Sequence, residues 1–255
     1  MRYLFVCGTP RSGTTATWRL LASDQRIVIG LERYGTRFFR GALTPFLFTP
    51  ERFMNLQEGD TFYPDLLAFS KYYRDAAQRI DTAEYVGDKI PQLYNYLDRL
   101  FSSIPSAKVV LLIRNVLDVA SSYEARADNP EDHSWSRDKR TAEAIKDWNA
   151  SLEVAKRFRN DARVCCVVYE DFFFGENNGL DLLYKFLDLP LTDDVAAAHK
   201  AILERSRELE SRRRRDLPAE KVMELLMEGA FDTYRELVRE IRERNRVIST
   251  GSAPS

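Results

Sequence analysis

The sequence predicts an α/β protein: a doubly wound, mainly parallel sheet flanked by helices, with a helical C-terminal part. Three observations carry this prediction. Short apolar runs at Tyr3–Cys7, Lys108–Ile113 and Val164–Tyr169 lack polar alternation, as strands buried on both faces do. Stretches with helical spacing, Asn115–Ala125 and Thr141–Arg157, fall between and around them, so strand and helix alternate along the chain. The first apolar run also opens into a glycine-bounded loop, Gly8-Thr9-Pro10-Arg11-Ser12-Gly13-Thr14-Thr15, ahead of the helix-forming Ala16–Ala22.

That loop reads as a phosphate cradle of P-loop type. Its backbone N–H groups and the positive end of the helix dipole converge where an anion sits. The spacing Gly8-x4-Gly13 is that of a Walker A loop, but Thr14 stands where a nucleotide triphosphatase has the Lys that reaches its β- and γ-phosphates. The cation is Arg11, inside the loop. A phosphate-bearing donor is expected there, held differently from the nucleotide of an ATPase.

Further along, Arg26–Glu32 is a short extended run ending in a carboxylate. Tyr34–Tyr63 is irregular and rich in Phe, Pro and Gly, which suits either a substrate lid or an aromatic plug on the core. A helix is expected over Asp65–Arg79, a strand with a charged end over Tyr85–Lys89, and a helix over Pro91–Phe101 with Pro91 in its first turn. Asp128–Asp138, with Asn129-Pro130, reads as a mobile loop, and the chain from Leu180 onward as mostly helical. Pro218 is expected to begin one long amphipathic helix, its stripe running Val222, Leu225, Leu226, Phe231, Tyr234, Leu237, Val238 and Ile241. That stripe serves the core or a contact between copies in a homo-oligomer. Residues 1–247 are read as a single domain and 248–255 as a disordered tail.

Composition narrows the function. The 255 residues are 44% apolar and 30% charged with a net charge of −1, so a globular core is expected and no basic field invites nucleic acid. No apolar stretch approaches the ~18 residues of a membrane span, and no charged start precedes a signal core, which predicts a cytoplasmic protein with no membrane span. Cys7, Cys165 and Cys166 read as small core hydrophobes. His133 and His199 lie far apart without ligand spacing, so no metal is expected.

Five segments together resemble the sulfotransferases that use 3′-phosphoadenosine-5′-phosphosulfate (PAPS). Pro10-Arg11-Ser12-Gly13-Thr14-Thr15 is similar to their 5′-phosphosulfate loop, in the Arg-containing form of the carbohydrate and tyrosylprotein branches. Ile113-Arg114 followed by Ser122, eight residues on, is similar to the 3′-phosphate site, with Arg126 matching a third basic position of the tyrosylprotein branch. A strand-edge Arg and a hydroxyl on the following helix can clamp one phosphate. Glu32, 21 residues after Arg11, matches the distance of the catalytic Glu in tyrosylprotein enzymes; its alternative is a surface ion pair with Arg33 or Arg37. Gly87-Asp88-Lys89-Ile90-Pro91 resembles the turn that carries a catalytic Lys, and Asp88 competes with Glu32 as general base. Val168-Tyr169-Glu170-Asp171 resembles the Tyr-Glu-Asp that ends a core strand in many sulfotransferases, which implies a contact of Tyr169 with the nucleotide and leaves either a site role or a structural one for Glu170 and Asp171.

The resemblance implies sulfuryl transfer from PAPS to a hydroxyl of a small molecule, glycan or tyrosyl side chain, without a metal. Glu32 would be the base, Arg11 and Lys89 the cations on the leaving phosphate, and Arg11, Ser12, Gly13, Thr14, Thr15, Arg114, Ser122, Arg126 and Tyr169 the donor site. The chain departs from the steroid and phenol branch. It lacks a Lys-Thr-His turn, has Ala16 where that branch stacks adenine on Trp (Trp18 is out of register), and lacks an Arg-Lys-Gly motif, for which Arg212–Arg215 is a candidate replacement. A P-loop nucleotide kinase and a non-catalytic nucleotide-binding module are the competing readings.

Overall fold

Among the described residues five strands form one parallel sheet in the order β2-β3-β1-β4-β5, with β1 at Arg2–Gly8, β2 at Ile27–Leu31, β3 at Tyr85–Lys89, β4 at Lys108–Ile113 and β5 at Val164–Val168. This computed structural model describes residues 1–41, 43–62, 71–174, 179–213 and 217–250, with side chains for all of these except 208–213 and 246–250. The pleat sends alternate residues to opposite faces. Phe5, Cys7, Val86, Val109 and Leu111 join one buried cluster, and Leu4, Val6, Tyr85, Val110 and Leu112 join another. Cys7 lies in the core as expected, and burial pushes its thiol well up.

Strand β1 sits centrally, so the loops after β1, β2, β3 and β4 all open at one carboxyl edge. In the register Val6 pairs with Lys89, Leu31 with Lys89 and Gly8 with Leu112. Arg11, Glu32, Lys89 and Arg114 therefore converge on one edge, where open α/β sheets bind ligands.

The helices are α1 (Thr14–Ser23), α2 (Arg37–Arg40), α3 (Pro50–Met54), α4 (Lys71–Ala77), α5 (Leu97–Ser103) and α6 (Val116–Ala127). They continue with α7 (Thr141–Phe158), α8 (Tyr169–Phe173), α9 (Gly179–Leu187), α10 (Asp193–Arg213), α11 (Ala219–Glu228) and α12 (Phe231–Thr250). Helix α7 carries Trp148 into the core, where its indole N–H donates to Arg114 O at 2.8 Å.

Several elements differ from the expectation. Of the helix expected over Asp65–Arg79, Lys71–Ala77 is helical and 65–70 lie outside the described residues. Pro91–Tyr96 is a 3-10 turn, and the α-helix begins only at Leu97. The long helix from Pro218 is two helices, because Gly229 is extended (φ −76, ψ 136) and its N–H closes α11 on Leu225 O. Leu225, Leu237, Val238 and Ile241 of the stripe are buried, while Leu226 is 60% exposed. Helix α12 runs to Thr250, and 251–255 lie outside the described residues. Among the described residues no helix is long and apolar enough to cross a membrane.

The aromatic segment after β2 divides. Phe38, Phe48 and Phe53 are buried, with Phe48 edge-on to Phe5 of β1 at 5.3 Å, so this part plugs the core. Phe39, Phe46 and Phe62 stay exposed, and Tyr63 lies outside the described residues.

Candidate active site

The loop after β1 owes its shape to two left-handed residues. Gly13 (φ 98) begins α1, and a Cβ there would stand 2.3 Å from the Tyr169 ring, so only glycine fits. Arg11 (φ 73) is left-handed without being glycine, a conformation that costs about 1–3 kcal/mol and gathers at functional sites. Glu32 (φ 53) is another such residue, on the neighbouring strand end. No side chain caps α1, and Gly13, Thr14, Thr15 and Ala16 at its start all line a cleft of about 1240 Å³. Open amide N–H groups and the positive helix end thus face that cleft.

Among the described residues five arginines line the cleft: Arg11, Arg19, Arg114, Arg126 and Arg205. Arg114 lies over the Tyr169 ring at 4.1 Å, donates from Nη1 to Arg11 O at 3.2 Å, and stands 3.6 Å from Asp118. Arg11 Nε donates to Ser122 Oγ at 2.9 Å. The two sites that the sequence treats as separate, loop and strand edge, are one hydrogen-bonded cluster. Arg126 binds Asp132 and Ser134 and lies over Trp135 at 4.6 Å, so the loop after α6 anchors it. Tyr169 begins α8, and its ring forms a wall of the cleft against Gly13.

Ser12 departs from its expected place. It is fully buried, its N–H closes a turn on Thr9 O at 2.9 Å, and its Oγ lies under the loop near Gly8, so the residue does not line the cleft. Trp18 is also turned away: its indole donates to Ile29 O at 2.8 Å and tethers α1 to β2. Glu170 accepts the Asn115 N–H at 2.8 Å, and Asp171 takes both arms of Arg242, each at 2.7 Å.

Glu32 and Lys89 lie across β1 from Arg114 and do not line the same cleft. They bind each other, Lys89 Nζ to Glu32 Oε1 at 2.7 Å, with Lys89 2% exposed and the Glu32 side chain 25% exposed. Glu32 therefore pairs with neither Arg33 nor Arg37. Arg33 is buried and, with Arg52 and Arg37, holds the buried Asp60. Asp88 is fully buried, accepting the N–H groups of Arg33 and Tyr34. Burial pushes it up to about 7, against those N–H bonds and Lys89.

Sequence reasoning missed Arg19 and Arg205, which reach the cleft from α1 and α10. Arg19 had a signal, one helical turn past Thr15; Arg205 had none, since packing of α10 on α1 brings it there. Of Arg212–Arg215, the last two lie outside the described residues and the side chains of the first two are not described. Among the described residues no three His, Cys, Asp or Glu side chains gather as a metal site.

A model of the sulfotransferase family matches residues 4–194. An uncharacterized protein of Aquifex aeolicus (strain VF5) is 28% identical over 139 residues, 48% of this chain, which spans only 17% of that relative's length. Sulfotransferase STF1 from Mycobacterium tuberculosis H37Rv shares the fold at 20% identity with a TM-score of 0.50, over 78% of this chain and 71% of that one. The sulfotransferase domain from the curacin biosynthetic pathway does so at 16% identity and a TM-score of 0.50, over 75% of each chain. With three quarters of its length matched by the family model, this chain belongs to the sulfotransferase family.

Proposed function

We propose that the protein moves the sulfuryl group of PAPS onto a hydroxyl of an acceptor, and that residues 1–247 act as one catalytic domain. The observation that carries this reading is the joined cluster of Arg11, Ser122 and Arg114 at an uncapped helix start. Five arginines and the hydroxyls of Thr14, Thr15, Ser121 and Ser122 suit an anionic nucleotide with two phosphate positions, and apolar Ala16, Leu117, Ala201 and Ile202 suit its base. PAPS supplies an activated sulfuryl group whose leaving group is a phosphate.

The residues divide the work by position. Arg114, Ser122 and Arg126 bind the nucleotide on the β4 side. Arg11 and the amides of Gly13, Thr14 and Thr15 hold the 5′-phosphate and stabilise the charge that grows on it. Lys89, buried against Glu32 and outside that cleft's lining, acts on the same charge from the β3 side once its pair with Glu32 opens. Glu32 takes the acceptor's proton as its oxygen attacks sulfur in line, once the acceptor loosens the Glu32–Lys89 pair. Exposed Phe39 and Phe62, on the segment that follows Glu32, favour a partly apolar or aromatic acceptor.

Competition between PAPS and ATP tests the reading against the kinase alternative. PAPS should bind at least tenfold more tightly, and label should pass from it to a pooled set of alcohols. Preferential ATP binding with phosphoryl transfer would revive the kinase, which Thr14 in place of Lys argues against. Binding of the desulfonated product without any transfer would leave a nucleotide-binding module.

A further inference from the structure

We infer that Asp88 is a positioning residue whose carboxylate shapes the turn that carries Glu32. The inference rests on Glu32 being the general base.

Glu32 occupies a left-handed conformation that its side chain does not favour (φ 53), so its neighbours must hold it there. The two N–H groups that follow it are both taken by Asp88: Arg33 N–H to Oδ1 at 3.0 Å and Tyr34 N–H to Oδ2 at 2.8 Å. The Glu32 N–H goes to Lys89 O at 2.9 Å, and Glu32 O accepts the Gly35 N–H at 3.0 Å. Its carboxylate then meets Lys89 Nζ. Two consecutive residues of β3 thus template the end of β2, Asp88 from one face of the strand and Lys89 from the other.

The neighbouring strand makes room for this. Gly30 pairs with Asp88 in the register, and a Cβ there would lie 2.6 Å from Asp88 Oδ1. A carboxylate is needed because two N–H donors require two acceptors on one side chain; an amide offers one and turns its NH2 against the other. Asp88 is 0% exposed, so no acceptor hydroxyl reaches it and it is not itself the base.

The test combines kinetics with amide exchange on the full chain. Asp88→Asn should bind the desulfonated nucleotide within twofold of the parent and lose at least tenfold in kcat at unchanged KM for PAPS. The Arg33 and Tyr34 amides should exchange at least tenfold faster. Adding Asp88→Asn to Glu32→Gln should cause no further loss, because both act through one group. Unchanged exchange with a dead enzyme, or faster exchange with parental kcat, would overturn the inference; so would a Glu32→Gln variant that stays active while Asp88→Asn is dead. If Asp88→Asn fails to fold, Asp88→Ser, which keeps one small acceptor at the same position and frees the second N–H, decides by the same readouts. If the parent transfers nothing from PAPS, the proposed function fails, and the exchange rates still report on the turn.

Discussion

Replacing Arg114 by Ala should weaken binding of 3′-phosphoadenosine-5′-phosphate by about 10- to 150-fold. The Arg114 side chain is 16% exposed, lies over the Tyr169 ring at 4.1 Å and donates to Arg11 O, so its fork is held before a ligand arrives. A hydrogen bond to a charged group contributes about 1.5–3 kcal/mol. At about 1.4 kcal/mol per factor of ten, that range gives the stated loss. The substitution also strips Asp118, 3.6 Å away and lining the cleft, of its cation, which adds repulsion toward a phosphate. Arg114→Ala/Asp118→Asn should therefore recover part of the loss, and Arg114→Lys should fall between, keeping the charge without the fork. Titration calorimetry at two salt concentrations measures this, the parent losing more affinity with salt than Arg114→Ala. An Arg114→Ala protein that binds within twofold of the parent would refute the assignment of the cleft to the donor.

Two further substitutions test the scaffold. Gly13→Ala places a Cβ 2.3 Å from the Tyr169 ring at φ 98, so backbone strain and overlap together should cost about 2–5 kcal/mol in denaturant unfolding; pairing it with Tyr169→Ala should relieve the overlap alone. Asp60→Asn leaves Arg33 and Arg52 buried without their carboxylate and should cost about 3–5 kcal/mol. Burial pushes Asp60 up, but its bonds from Arg52, Arg33, the Gln57 N–H and Arg37 outweigh that and hold it well below the usual carboxylate range. Its stabilisation is present above the unfolded pKa and lost as pH falls below about 4, so unfolding titrations should show a shallower acid slope in Asp60→Asn than in the parent.

What the sequence revealed follows from which signals are local. Val109–Ile113 and Leu4–Cys7 were legible because a parallel sheet buried on both faces writes itself as an uninterrupted apolar run. The loop at Arg11 was legible because glycines and hydroxyls fix it within a few residues. Pro91 marked a helix start correctly, but nothing in Pro91–Tyr96 distinguishes a 3-10 turn from an α-helix, since both favour contacts three residues apart. The break at Gly229 is written only as a five-residue gap in the stripe, from Leu226 to Phe231, which turns its two halves to different faces; a single glycine in a helical pattern is not by itself a stop. Arg33 looked like a surface charge; the partner that buries it, Asp60, is 27 residues away. Ser12 and Trp18 carried suggestive chemistry, yet packing under the loop and against β2 turns them from the cleft. Spacing could not tell that Asp88 is buried under the Arg33 and Tyr34 N–H groups while the Glu32 side chain is 25% exposed, because the turn after β2 sets both.

The most direct test of the account is turnover of Glu32→Gln measured with labelled PAPS beside its affinity for the desulfonated nucleotide. Gln keeps the shape and can still accept from Lys89 Nζ, which now lies 2.7 Å from the carboxylate, but it cannot take the acceptor's proton. Glu32 does not line the arginine-rich cleft proposed to hold the donor, so affinity should stay within about twofold of the parent while transfer falls about 100- to 10,000-fold. Parental transfer by Glu32→Gln, with the same acceptor and the same donor affinity, would contradict the central claim that Glu32 is the base.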